Sequence, residues 1–228
     1  MSHYSNDTLR KYTARAQERL NYYLSMPEEE FSNIHVKLSK GDSKIGKTVN
    51  NALLPIITCG NCASCAHHCY DVKACMRFPV ALENRAINTA VAMRDPVRYF
   101  NETVAQVSKV DSMRWHQGGE ILSGDYLSGM VDTAQRTPNT AHWGYTHMHD
   151  TVNQYIASGG IIPTNLSIMY SAEDDKPINN PYHMPEFRCI TKGNTPPAGY
   201  MECKGDCSYC KAHHCGCIAG QNVYAWEH

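Results

Sequence analysis

Eleven cysteines in 228 residues are the side chains best equipped for chemistry, and most of them fall in two groups. The first group, in TCGNCASCAHHCY, sets Cys59, Cys62, Cys65 and Cys69 in the spacing C-x2-C-x2-C-x3-C. Thiolates this close let one loop wrap a cubane and present several sulfurs to it. Zinc also accepts four cysteines, but as two separated pairs. The compact run therefore favours a 4Fe–4S cluster, with zinc as the alternative. The second group, CKGDCSYCKAHHCGC, contains Cys203, Cys207, Cys210, Cys215 and Cys217. It would supply a second cluster or a structural metal, so one or two clusters are expected. Cys75 and Cys189 stand apart and read as small buried thiols.

Other polar groups accompany the cysteines. Gly118 and Gly119 precede Glu120, where glycines let the backbone approach a ligand and the carboxylate could hold an ammonium. An ordinary glycine turn is the plainer reading. His147 and His149 are two residues apart, which suits a ligand, an acid–base pair or a structural clasp. Glu173, Asp174 and Asp175 form an acidic run that reads first as a solvated turn. The candidate catalytic residues are Glu120, His147 and Glu173. Gly118, Gly119 and Glu120 are the candidate cofactor-binding residues.

The elements that must position these groups follow from hydrophobic spacing. Leu9, Tyr12, Ala16, Leu20 and Tyr23 predict a helix over Thr8–Leu24. Ile34–Leu38 reads as a short strand and Leu53–Ile57 as a buried one, although Pro55 weakens it. Helices are expected over Pro79–Met93 and Pro96–Val110, the latter with Asp95 as N-cap. A rhythm then sets in: strand Met113–His116, helix Tyr126–Gln135, strand Ala141–Thr146, helix Asp150–Ala157, strand Asn165–Tyr170 and strand Phe187–Thr191. Such alternation predicts parallel βα units forming a partial TIM-like barrel or an open sheet. The chain reads as a single α/β domain, with residues 1–40 as a helical and strand extension and residues 193–228 as an irregular cysteine-rich segment. The cysteine loop, Gly118–Glu120, His147–Asp150 and Ser171–Asp175 all fall just after expected strands. In parallel sheets such loops share one face, where active sites lie.

Composition removes several classes. Hydrophobic residues make up 42% and charged residues 19%, which fits a globular chain rather than a disordered one. Lys and Arg number 21 against 22 Asp and Glu, so net charge offers no field for nucleic acid or for a membrane surface. No run approaches the length of a membrane span, and the polar start lacks a signal-peptide stretch. The expected location is the cytoplasm, where thiols stay reduced and clustered cysteines point to metal.

Resemblances add to this. The first cysteine run has the spacing of bacterial ferredoxins, except that Tyr70 stands where proline usually follows. Cys203, Cys207 and Cys210, with the order of cysteine loop, Gly-Gly-Glu and further βα units, resemble radical S-adenosylmethionine enzymes. That resemblance implies an open iron and S-adenosylmethionine as a bound molecule. It departs in placing the C-x3-C-x2-C motif late in the chain, and in the different spacing of Cys59–Cys69. SKIGKTVNN with LLPIITC (Ser43–Cys59), the Asp95-Pro96 helix start, RWH-x2-G (Arg114, Trp115, His116, Gly119), Trp143–His147, Ile162–Ala172 and the cysteine run ending in Val223 to His228 together resemble the gene product 88 family of phage and bacterial proteins. Many relatives carry Asp where this chain has Glu120. The resemblance implies a cluster-binding α/β protein, in the host cytoplasm if phage-encoded, and supplies no substrate. Two function classes follow. One is a redox or radical-type enzyme working with a small molecule and an electron donor. The other is a non-catalytic module, stapled by zinc or iron–sulfur, that binds a protein or nucleic acid partner.

Overall fold

The computed structural model describes residues 4–41, 45–60, 65–174 and 176–227; Ser43, Cys62, Asp175 and His228, named above, lie outside them. Among the described residues seven strands, all paired in parallel, form one open sheet rather than a closed barrel. The strands are β1 (Val49–Asn50), β2 (Ser112–Trp115), β3 (Ala141–Thr146), β4 (Leu166–Glu173), β5 (Glu186–Ile190), β6 (Met201–Glu202) and β7 (Val223–Trp226). Their spatial order is β1-β2-β3-β4-β5-β7-β6. From β1 to β5 each strand lies beside its predecessor. Repeated crossovers of one hand then stack their helices on one face of the sheet.

The helices on that face are α1 (Asn6–Leu24), α2 (Glu28–Phe31), α3 (Tyr70–Arg77), α4 (Pro79–Arg94), α5 (Pro96–Val107), α6 (Gly124–Arg136) and α7 (His149–Ala157); α8 (Cys207–Ala212) belongs to the C-terminal segment. Ser5 caps α1 by accepting from Thr8 N–H, and Tyr12, Ala16, Leu20 and Tyr23 form its buried stripe. Asp95 caps α5 by accepting from Arg98 N–H, with Pro96 in the first turn. Alternation along the strands turns Met113, Trp115, Leu166, Ile168 and Tyr170 toward these helices, in one core with Leu82, Val91 and Leu127.

The opposite face presents Arg114, Trp143, Tyr145, Met169, Ser171, Phe187 and Val223, as the strand register requires. Here the chain after β5 folds back as a cover, with α8 and a short 3-10 turn over Gly216–Ala219.

Several expectations are corrected. Ile34–Leu38 is extended but pairs with no strand; Glu102 accepts from Val36 N–H (2.7 Å), and Asn88 accepts from Lys37 N–H (2.7 Å). Leu53–Ile57 is an irregular segment and turn with Ile56 at positive φ, while the strand is the preceding Val49–Asn50. Leu53 and Leu54 are apolar because they are buried under the loops, not because they pair. β4 runs on to Glu173, so Ser171 and Glu173 belong to the strand and not to the loop after it. The C-terminal segment, expected to be irregular, contributes β6 and β7 to the sheet. No helix among the described residues is long and apolar enough to cross a membrane.

Candidate functional site

The loops after β1 and β2 are laced together before any polar side chain takes part. Asn51 N–H donates to Arg114 carbonyl (2.9 Å), Gln117 N–H to Asn51 carbonyl (2.8 Å) and Leu53 N–H to Gly118 carbonyl (2.8 Å). The glycines are needed here for contact with the protein itself. A Cβ on Gly118 would collide with the Asp71 carboxylate, and one on Gly119, at φ +80°, would meet Leu53 and Thr58. Asp71 is fully buried and held by Arg85, whose Nε and Nη2 donate to its two oxygens at 2.6 and 2.5 Å. This bidentate pair fixes the first turn of α3, directly after Cys69, against the Gly118 backbone.

Glu120 performs the same service between β2 and β3. It is 5% exposed, and its oxygens accept from Ile121 N–H (2.9 Å), the Thr146 hydroxyl (2.7 Å) and His147 N–H (2.7 Å). Burial pushes its carboxyl up to about 7, against the lowering effect of those three donors. His147 follows β3; its pKa is lowered by burial first and by His149 second, with Glu173 opposing. The His149 ring lies 6.2 Å from that of His147 and stacks on Tyr170 at 4.5 Å, off the cavity wall.

These loops, together with the C-terminal cover, enclose a cavity of about 530 Å³ over the C-terminal ends of the strands. Its walls include Cys59, Cys65 and Cys69 from the first group, Cys203 and Cys207 from the second, and Gly118, Gly119, Glu120, His147 and Ser171. Tyr70, Arg114, His116, Tyr145 and Phe187 are also on the wall. The expected convergence of strand-end loops is therefore present. Glu173 is not on the wall; its carboxylate pairs with Lys176 at 2.5 Å.

A second cavity, of about 30 Å³, adjoins the first and is lined by Cys203, Cys207, Cys210 and Cys217 with Trp143, Tyr145 and Gly216. Cys203 and Cys207 stand on the walls of both. Asp206 caps α8 by accepting from Ser208 and Tyr209 N–H, which places Cys207 and Cys210 one turn apart. Gly216, at φ +65°, lets the chain pass close to the Cys210 sulfur. The Tyr145 hydroxyl donates to Cys217 Sγ at 3.1 Å, and burial pushes the Cys217 thiol up to about 12. Cys210 is raised to about 12 as well, by burial and then by its bond with Cys215. Cys215 lines neither cavity. Cys75 is fully buried, as expected, whereas the charged neighbours of Cys189 are Glu227, Asp174 and Glu173 rather than the C-terminal thiols.

Five thiols on one wall system form a soft, sulfur-only donor set of the kind that holds iron–sulfur clusters, and the larger cavity has the volume of a small-ligand site. As placed, no three His, Cys, Asp or Glu side chains among the described residues are grouped closely enough to hold an ion. Ligation would require the thiols to turn inward, with Cys62 outside the described set. A larger cleft, of about 760 Å³, runs between α4, α5 and α6 and meets the cysteine cavity at Gly60 and Met148. It contains no cysteine, so convergent chemistry favours the smaller cavity.

Sequence reading named Arg114 and the Trp143–His147 strand only within the family motif, without a site role, and it missed the Asp71–Arg85 pair. Arg114 had a signal, a charged residue alternating with Met113 and Trp115 in a buried strand. Asp71 and Arg85 had none, since only the helix–helix corner brings them together.

A family model described as Gene product 88 matches residues 9–190. Neither a curated protein nor a solved structure gave a match.

Proposed function

The chain belongs to the gene product 88 family, and from that premise we propose that it is an iron–sulfur protein acting on a small molecule in the cysteine cavity. One observation carries the reading: thiols from two chain segments, Cys59, Cys65 and Cys69 against Cys203 and Cys207, line the same cavity as Glu120 and His147. Cys59, Cys62, Cys65 and Cys69 would hold the cluster. When bound, it would supply one-electron transfer. Glu120 keeps the loops after β2 and β3 in register, so the His147 ring is presented to the cavity at a fixed height. His147, lowered by burial, is neutral at pH 7 and suited to accept a proton from a bound molecule.

The narrower form of this proposal is radical chemistry with S-adenosylmethionine. It gains nothing from Glu120, both of whose oxygens already accept from the protein's own donors. A spectral change on adding S-adenosylmethionine to the reduced protein would support it. Anaerobic purification with iron and sulfide analysis tests the broader proposal. A brown protein with stoichiometric iron and sulfide is expected, and a folded, colourless sample containing only zinc or no metal overturns it.

A second reading applies to the C-terminal group. The 30 Å³ cavity lined by Cys203, Cys207, Cys210 and Cys217 has room for a single ion rather than a cubane. There a metal would staple the cover to the sheet and contribute folding free energy directly. Cys210→Ala would then lower thermal stability and remove one equivalent of zinc while leaving iron content unchanged. If it removes iron instead, the two cysteine groups serve clusters alike.

A further inference from the structure

Arg114 is the only Lys or Arg among the described residues lining the cysteine cavity, and no carboxylate pairs with it there. Other shielded guanidiniums have acids: Arg85 has Asp71 at 2.5 Å and Arg188 has Glu186 at 2.8 Å. Arg114 Nη2 donates to the Tyr70 hydroxyl at 3.0 Å, and that hydroxyl donates to the Gln117 carbonyl. The guanidinium carbon lies 5.1 Å from the Tyr145 ring centroid. Nε is buried with no partner among the described residues. Glu120, the acid on the same wall, has turned both oxygens to Ile121, Thr146 and His147.

A half-buried guanidinium with its Nε shut from water and no carboxylate partner is costly, and a fold that retains one has a use for its charge. The carboxylate on the same wall does not supply the counter-charge, since Glu120 is satisfied by the protein's own donors. Burial also favours the neutral form of Glu120. The guanidinium is held flat by Tyr145 and tethered by Tyr70, a planar fork of the kind that matches an oxyanion. Beside it Tyr145 and Phe187 pack edge to face at 5.0 Å, an apolar wall for the body of a ligand.

We propose that Arg114 is the anion-recognising residue of this cavity, and that the small molecule taken there carries a carboxylate or a phosphate against the guanidinium with its apolar body against Tyr145 and Phe187. The inference rests on the proposed function only in taking this cavity as the ligand site; it does not depend on iron.

The test is calorimetric titration of the full chain, purified anaerobically, with inorganic phosphate and with benzoate, against chloride at matched ionic strength. Saturable binding of at least one probe is expected, and which of the two binds separates a phosphate site from a carboxylate site. Arg114→Gln should weaken that binding at least tenfold, and Arg114→Lys should restore part of it, with iron and sulfide content unchanged in both. Failure of the unaltered protein to bind either probe overturns the proposal, and so does equal binding by Arg114→Gln. Loss of iron and sulfide from Arg114→Gln, with no probe binding by the parent, assigns the charge to the cluster and also overturns it. Should Arg114→Gln not fold, the parent and Arg114→Lys decide the matter. Iron-free protein that binds a probe through Arg114 ends the iron reading and sustains this one.

Discussion

The two faces of the sheet share the same strands and are finished in opposite ways. On one, Met113, Trp115, Ile168 and Tyr170 are buried under helices of up to 19 residues in a continuous hydrophobic core. On the other, Trp143, Tyr145 and Phe187 lie under a cover whose longest helix, α8, has 6 residues. The first face is held by area removed from water. The second has little apolar area of its own in the cover and instead brings thiols. A face finished by helices specifies a fold; one finished by cysteines leaves a cavity that something else can complete.

Substitutions can break that contrast, the most damaging first. Trp115→Ala, at a fully buried position on the helical face, should cost about 4 kcal/mol, read as a fall in the denaturant midpoint with unchanged slope. Asp71→Asn leaves Arg85 buried without its charge partner and should cost about 3 kcal/mol. It should also disturb the start of α3 beside Cys69, so that the content of a cluster bound as proposed would fall along with stability. A loss of stability with full metal content would separate the two faces more sharply than we describe.

Glu120 gives a pH signature at the cavity. Its folded carboxyl titrates near 7, above the usual glutamate value, so the folded state holds the proton more tightly than the unfolded chain. Stability should therefore fall as pH rises from 5 to 7, by roughly 2 kcal/mol from this group. Glu120→Gln should flatten that slope, and an unchanged slope would mean the carboxyl is ionised throughout. Tyr145→Phe removes the hydroxyl donated to Cys217 but keeps the ring, and should cost about 1 kcal/mol. Smallest of all, Lys211→Ala cuts the exposed pair with Asp111 that ties α8 to the start of β2, and should leave the denaturant midpoint almost unmoved.

The helical face was the legible one. Tyr12, Ala16, Leu20 and Tyr23 announce α1 by period, Asp95-Pro96 marks the start of α5, and the bounds of β3 match the expected Ala141–Thr146. The other face was harder because its elements are short and its pairings distant. β1 has 2 residues, too few for alternation to register, so the apolar run at Leu53 drew the strand assignment instead. β7 joins β5 across the whole cysteine segment, and nothing local in VYAW says so. Within the site, the cysteines and Gly118–Glu120 could be named from type and spacing. Their roles could not. Gly118 faces Asp71 and Glu120 faces backbone amides, contacts fixed only by how the loops cross.

The order of the walls along the chain has a consequence for assembly. Domains emerge from the ribosome N-terminus first, and the surfaces from Cys59 to His147 are synthesised well before Cys203 and Cys207. The last wall thus arrives after the residues that carry Cys59, Cys65 and Cys69 have been made. A cluster bound as proposed would be loaded from the open side during synthesis and then shut in by the tail, and the C-terminal segment would serve as its door.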